Sequence, residues 1–204
     1  KKLDRTAIAE EAWDIEVNVN GLFGGKQDQY AATYGGLNVF EFHKDRVDVM
    51  PLQRSYIESV LPSIVLFSTN EKRTDTKIQE GFKKLDMGQI EALKAIRVLT
   101  VEIADAIAVG DIAKFGVLIS KSWQLKKESN KGVTTPKIDM IYSKALEAGA
   151  YGGKLMGAGQ GGMVWFVVNP AKRSDFIQKM EAEGLSWYDF NISWNGVQTR
   201  ILPK

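Results

Sequence analysis

The sequence predicts an α+β fold, strand-rich in its first part and helical and α/β in its remainder. Three observations carry that reading. Residues 37–50 alternate around the polar turn His43-Lys44-Asp45, and 63–67 form a short apolar run, both strand signatures. Residues 75–148 instead repeat apolar side chains at helical spacing. The tail reads as a strand at 163–168, a helix from Pro170 and a hairpin around Asn195-Gly196. That order suggests a split α/β sandwich, a ferredoxin-like half. A modest boundary is expected near residues 70–75.

Composition narrows the class. The chain has 204 residues, 44% hydrophobic and 25% charged, the balance of a globular protein able to bury a core without cross-links. Its net charge is +2, too small to argue for nucleic acid. It has no cysteine, which excludes a thiol nucleophile and fits a reducing, cytoplasmic setting. No apolar run approaches a membrane span. With one histidine, a zinc or transition-metal site of the usual ligands is excluded, whereas a hard cation on oxygen ligands is not.

Taken in order, residues 4–19 predict a helix with Ile8, Ala12, Ile15 and Val19 on one face, ended by Asn20-Gly21. Gly25 to Gly36 then reads as a loop that sets Asp28 among Lys26, Gln27, Gln29 and Tyr30. Loops on rigid elements often carry catalytic groups, although a lone aspartate there is more commonly a turn or cap residue. Leu37–Phe42 and Arg46–Met50 read as a hairpin, with His43 at its turn in a solvent-exposed structural role. The buried strand at 63–67 runs into Ser68 to Thr74. There Arg73 offers a planar fork of donors to an anionic or polyhydroxyl ligand, or is an exposed neighbour of an N-cap at Thr74.

Helical stripes follow: Ile78, Phe82 and Leu85; then Leu93, Ile96, Thr100, Ile103 and Ile107. Gly110-Asp111 breaks and recaps the chain, and Ile112, Phe115 and Ile119 lead to Trp123, with Lys126 and Lys127 at an exposed helix end favoured by the dipole. Pro136 starts a helix through Ile138, Ile141, Tyr142 and Ala145, closed by Gly149. Gly152 to Gly162 holds six glycines in eleven residues. Gly157, Gly159 and Gly162 match the dinucleotide spacing, but the order is helix, glycines, strand, so that fingerprint is rejected. The nucleotide P-loop pattern fails because Leu155 follows Lys154. What survives is a loop whose backbone can approach other backbone, or a ligand, closely. Pro170 starts a last helix with Phe176, Ile177 and Met180 inward. Phe190, Ile192 and Trp194, then Val197, Thr199 and Ile201, flank the Asn195-Gly196 turn.

Four segments in this order resemble the GHMP small-molecule kinases: Gly25-Lys26-Gln27-Asp28-Gln29-Tyr30, the Thr69 to Arg73 loop, Ser122-Trp123-Gln124-Leu125-Lys126-Lys127, and Gly152 to Gly159. The likeness covers nearly the whole chain. Within that superfamily the chain resembles in particular the D-glycero-D-manno-heptose 7-phosphate kinase group. The resemblance implies a GHMP-kinase-like α+β fold, with 1–70 as the end of the family's N-terminal domain and 71–204 as its C-terminal domain. Gly25, Asp28 and Gln29 fit the family's G-x-x-D-Q loop, which places an aspartate near the acceptor hydroxyl. Gly157-Ala158-Gly159-Gln160-Gly161-Gly162 corresponds to its late glycine-rich motif. The family's Pro-x-x-x-Gly-Leu-Ser-Ser-Ser loop has no match here, so the chain reads as the C-terminal portion of a kinase. Gln160 and Asn70 stand where relatives often have glycine.

The implied activity is ATP-dependent phosphorylation of a hydroxyl on a heptose phosphate or related sugar, with Asp28 as base or orienter. Lys26, Gln27, Gln29, Tyr30 and Arg73 would hold the sugar. Gly157, Ala158, Gly159, Gly161 and Gly162 would support the phosphate region. ATP and Mg2+ are implied, with the Mg2+ ligands expected in the family's N-terminal portion. The partner is a small sugar or sugar phosphate, not nucleic acid or membrane, and a homodimer is compatible. The alternatives are another branch (fucokinase-, galactokinase- or mevalonate-like) or an inactive fragment or binding module.

Overall fold

The computed structural model describes residues 4–22, 24–71 and 85–199. The chain divides into two compact units, Lys1–Arg54 with Asn191–Lys204, and Ser55–Phe190. The expectations placed on Arg73, Thr74, Ile78, Phe82 and Ile201 lie outside the described residues.

In the first unit, α1 (Arg5–Asp14) is capped by Asp4, whose side chain accepts from the Ala7 amide at 3.1 Å. It widens into a π-helical turn (Ile15–Val19) and stops at Asn20-Gly21, where Gly21 takes φ +68°. The helix at 4–19 is thus present, but its predicted apolar stripe is not its buried face. Ala9 is the buried residue, while Ile15 and Val19 are exposed. A helix α2 (Gln27–Tyr34) follows, then strands β1 (Asn38–Phe42) and β2 (Val47–Pro51), paired antiparallel with Phe40 opposite Val49. The hairpin around His43 is as expected, though His43 is only half exposed and hydrogen-bonds Asp48 at 2.9 Å. Tyr30 seats α2 on the hairpin. It is fully buried, edge-on to Phe40 and Phe42 at 6.0 and 5.9 Å.

The expected hairpin around Asn195-Gly196 is not formed among the described residues. Residues 191–199 hold no strand and bond the end of α2 instead: the Gly36 amide donates to Ser193 O at 2.8 Å and the Val197 amide to Thr33 O at 3.0 Å. Gly196 does turn, at φ +61°, but against Gly35. A Cβ on Gly35 would lie 2.3 Å from the Gly196 nitrogen, so these two backbones meet only as glycines.

The second unit carries α3 (Arg54–Val60, whose first residue belongs to the other unit), β3 (Ile64–Ser68), α4 (Met87–Ala108), α5 (Ile112–Ser129), α6 (Pro136–Glu147), β4 (Gly152–Leu155), β5 (Met163–Val167), α7 (Arg173–Ala182) and β6 (Ser186–Tyr188). Its sheet has the order β4-β5-β3-β6, with every pair antiparallel. The mixed helical and antiparallel architecture is the α+β class expected. The helices begin and end on the predicted punctuation: Asp111 caps α5, Thr135 caps α6 with Pro136 behind it, and Gly149 takes φ +105°. The core gathers Val65, Phe67, Leu155, Val164 and Phe166 from the sheet with Trp123, Tyr142 and Phe176 from the helices. The strand at 63–67, read from sequence as the end of the first part, joins this sheet. Its inward side chains, Val65 and Phe67, belong to the core of Phe166 and Phe176, on the second unit's side of the division after Arg54. Among the described residues no helix is long and apolar enough to cross a membrane.

Candidate active site

The segment expected as a loop around Asp28 is helical. Residues 27–34 contain no glycine or proline and carry Ala31 and Ala32, so they can coil between the flanking glycines. Gly35, at φ +66°, ends the turn. Asp28 therefore sits in the first turn of α2, where the helix dipole favours its charge. It is exposed, and among the described residues it has no hydrogen-bond or ion-pair partner. Gln27 beside it is exposed too.

Its neighbours are committed. Lys26 Nζ lies 2.5 Å from Glu10 Oε2 and 4.6 Å above the Trp13 ring. The Tyr30 hydroxyl donates to Glu10 Oε1 at 2.6 Å. Gln29 donates to Glu16, and among the described residues its buried amide oxygen has no partner. Two carboxylates of the α1 helical run thus grip the first turn of α2 on either side of Asp28. Hydrogen bonds from Lys26 and then Tyr30 hold the Glu10 carboxyl below its ordinary value, against the opposing effect of burial. Burial first, and Glu10 second, push the Tyr30 phenol well above its ordinary value. This corrects the expectation that Tyr30 contacts the sugar: its ring is packed and its hydroxyl is engaged. Sequence reasoning missed Glu10, Glu16 and Trp13. Sixteen positions separate Glu10 from Lys26, and only the docking of two helices pairs them.

The glycine segment is in part strand. Gly152 to Leu155 is β4, where a Cβ on Gly152 would lie 2.0 Å from Gly116 O, so the glycine lets strand and helix α5 touch. The turn that follows, Met156 to Gly162, is held by backbone. The Gln160 amide donates to Val133 O at 2.8 Å and the Gly162 amide to Glu71 O at 3.2 Å. Gly162 O in turn accepts from the Thr69 amide at 2.8 Å and from Thr69 Oγ1 at 2.9 Å. A Cβ on Gly159 or Gly161 would lie 2.5 Å from the carbonyl oxygen of Val133 or Glu71. Asn70 and Gln160, the two residues standing where relatives often have glycine, both adopt left-handed φ, +54° and +64°. Lys126, expected as a solvated helix end, donates to Gly157 O at 2.6 Å. Trp123 is fully buried rather than near an exposed end. Lys154 donates to Ser122 Oγ at 3.3 Å, and burial holds its ammonium below its ordinary value.

Among the described residues, neither Asp28 nor the glycine turn contributes to a cluster of three metal-ligating side chains. Among the described residues one cluster gathers three metal-ligating side chains within 4.8 Å, Glu41, His43 and Asp48, at the end of the β1–β2 hairpin. Arg46 already engages both oxygens of that Asp48, at 3.1 and 3.2 Å.

Residues 103–185 match the family described as GHMP kinases C terminal. The chain is 38% identical over 197 residues to D-glycero-alpha-D-manno-heptose 7-phosphate kinase of Campylobacter jejuni, covering 94% of this chain and 58% of that protein. It is 40% identical to a galactokinase of Pyrococcus furiosus, covering 99% of this chain and 62% of that one. Among solved structures, a D-glycero-D-manno-heptose 1-phosphate kinase from Bacteroides thetaiotaomicron superposes with TM-score 0.58 at 26% identity, covering 95% of this chain and 55% of that one. A mevalonate kinase superposes with TM-score 0.70 at 25% identity, covering 92% and 57%. The chain spans less than two thirds of the length of each. With the family model matched across α5, α6 and the glycine turn, and this likeness along nearly its whole length, the chain carries a GHMP kinase C-terminal domain.

Proposed function

We propose that this chain provides the acceptor side of an ATP-dependent sugar kinase that phosphorylates a hydroxyl of a heptose phosphate or related sugar. The observation that carries the reading is Asp28: an exposed carboxylate without a partner among the described residues, on a helix turn gripped from both sides. A base or orienter needs that combination of a fixed position and open lone pairs. Gln27, exposed beside it, would contact the sugar. Lys26 and Tyr30 act through Glu10 by holding the turn. Arg73, outside the described residues, is the candidate for an acceptor phosphate. ATP supplies the phosphoryl group when bound. The chain's own contribution is to align the hydroxyl and take or steer its proton at the Asp28 carboxylate. The glycine turn supports the phosphate region by close packing.

The test is turnover of D-glycero-D-manno-heptose 7-phosphate with ATP and Mg2+. Asp28→Asn is expected to lower turnover by roughly 100-fold or more, and near-normal turnover removes Asp28 from the role. The 40% identity to a galactokinase supports a second reading, a different sugar acceptor. A panel containing galactose, fucose and mevalonate separates the two, and conversion of none of the acceptors would favour a binding module.

A further inference from the structure

A cleft of about 480 Å³ opens in the first unit at the C-terminal end of α2. That is within the usual range for small-molecule sites, roughly 300–1,000 Å³. Asp28 stands at the other end of the helix, and eight residues at about 1.5 Å each put about 12 Å between the two ends. Its lining combines Arg5, Arg54, Tyr34, Trp194 and Leu52. The lining includes two arginines and no acidic residue.

Each arginine is placed by the fold. Arg5 donates to Tyr34 O at 3.3 Å and to Asn195 O at 3.2 Å, and its guanidinium lies 5.9 Å from the Tyr34 ring. These bonds cap the end of α2, which accounts for Arg5 structurally. A guanidinium carries more donors than those two, in a planar fork suited to oxyanions. Arg54 lies 4.7 Å from the Trp194 ring centroid. Gly36, at φ +67°, brings the floor of the cleft against that indole: its Cβ position is 3.5 Å from the ring. Cationic forks beside an indole and an aliphatic wall match a ligand with an anionic head and a flat apolar body.

We propose that this cleft is a second ligand site, distinct from the Asp28 turn, for a small molecule that joins a phosphate to a planar ring. Arg5 and Arg54 take the phosphate, and Trp194 and Leu52 take the ring. The inference does not depend on the kinase reading.

Phenyl phosphate is the probe, followed through the Trp194 indole N–H resonance, which is assigned by its loss in Trp194→Phe. At low salt a saturable shift in the millimolar range or tighter is expected. Inorganic phosphate (head alone) and benzyl alcohol (ring alone) should bind at least about 10-fold more weakly. Arg5→Gln should abolish the shift. If that change unfolds the end of α2, Arg54→Gln takes its place and should weaken binding at least about 5-fold. Asp28→Asn should leave the titration unchanged. No saturable shift, equal binding of inorganic phosphate, unaltered binding in both arginine variants, or loss in Asp28→Asn would each overturn the proposal.

Discussion

The Asp28 turn and the glycine turn are held by opposite means. The first is gripped by side chains: Glu10 on Lys26 and Tyr30, Glu16 on Gln29. The second is gripped by backbone: Val133, Glu71 and Thr69 bond the turn's own peptide groups, and glycines allow the approach. A charged clamp depends on ionisation and tolerates changes of volume at its surface. A backbone clamp is indifferent to pH and intolerant of a single methyl group. The first arrangement suits a turn that presents an exposed side chain, and the second suits a turn whose shape is the requirement.

The largest effect that could break this contrast is steric. Gly159→Ala puts a methyl 2.5 Å from Val133 O at φ +114°. A loss of about 3 kcal/mol in urea unfolding is expected, from overpacking and backbone strain together. Gly162→Ala, at φ +91° with nothing within 4 Å, carries the strain alone and should cost about 1 kcal/mol. Equal costs for the two would show that conformation, not contact, governs the turn.

Next comes the charged clamp. Glu10→Gln should cost about 1 kcal/mol at neutral pH, a modest figure because the carboxylate is partly exposed and screened. The sign of its pH dependence follows from the depressed Glu10 value. A carboxyl held below its ordinary 4.5 contributes stability that is fully present above that value. The contribution is lost as pH falls through the lower folded-state value. The gap between wild type and Glu10→Gln should therefore close in acid, while the gap for Gly159→Ala should persist. Urea midpoints at neutral and acid pH check both, and a Glu10→Gln gap unchanged in acid would remove the electrostatic half of the contrast.

The smallest effect concerns Asp28 itself. Because it has no partner among the described residues, Asp28→Asn should change stability by only about 0.5 kcal/mol, the scale of a helix-dipole contribution. A larger loss would mean that Asp28 is part of the clamp rather than what the clamp presents.

Much of this was legible in the residues. The punctuation at Asp111, Thr135-Pro136 and Gly149 marked helix ends because caps and left-handed glycines act within a few residues of where they are read. Asn70 and Gln160 were marked as departures, and both prove to be left-handed. Less visible was the helix at Gln27–Tyr34, since glycines on both sides read as a loop and its short span gives little periodicity. The Asn195-Gly196 turn is present, but among the described residues the backbone groups beside it bond the end of α2 rather than a partner strand.

By itself the sequence determined the type of most elements, the family motifs in their order and the carboxylate at Asp28, all of which are local patterns. Only the tertiary structure decided what each pattern met. It put β3 between β5 and β6, buried Tyr30, and closed the glycine turn on Thr69, 93 residues away. The physical reason is that periodicity and capping state which side of an element needs burial or which amide needs an acceptor. Burial is non-directional, and a carbonyl accepts from any amide brought to it. The partner is therefore selected by packing, which no local stretch of sequence records.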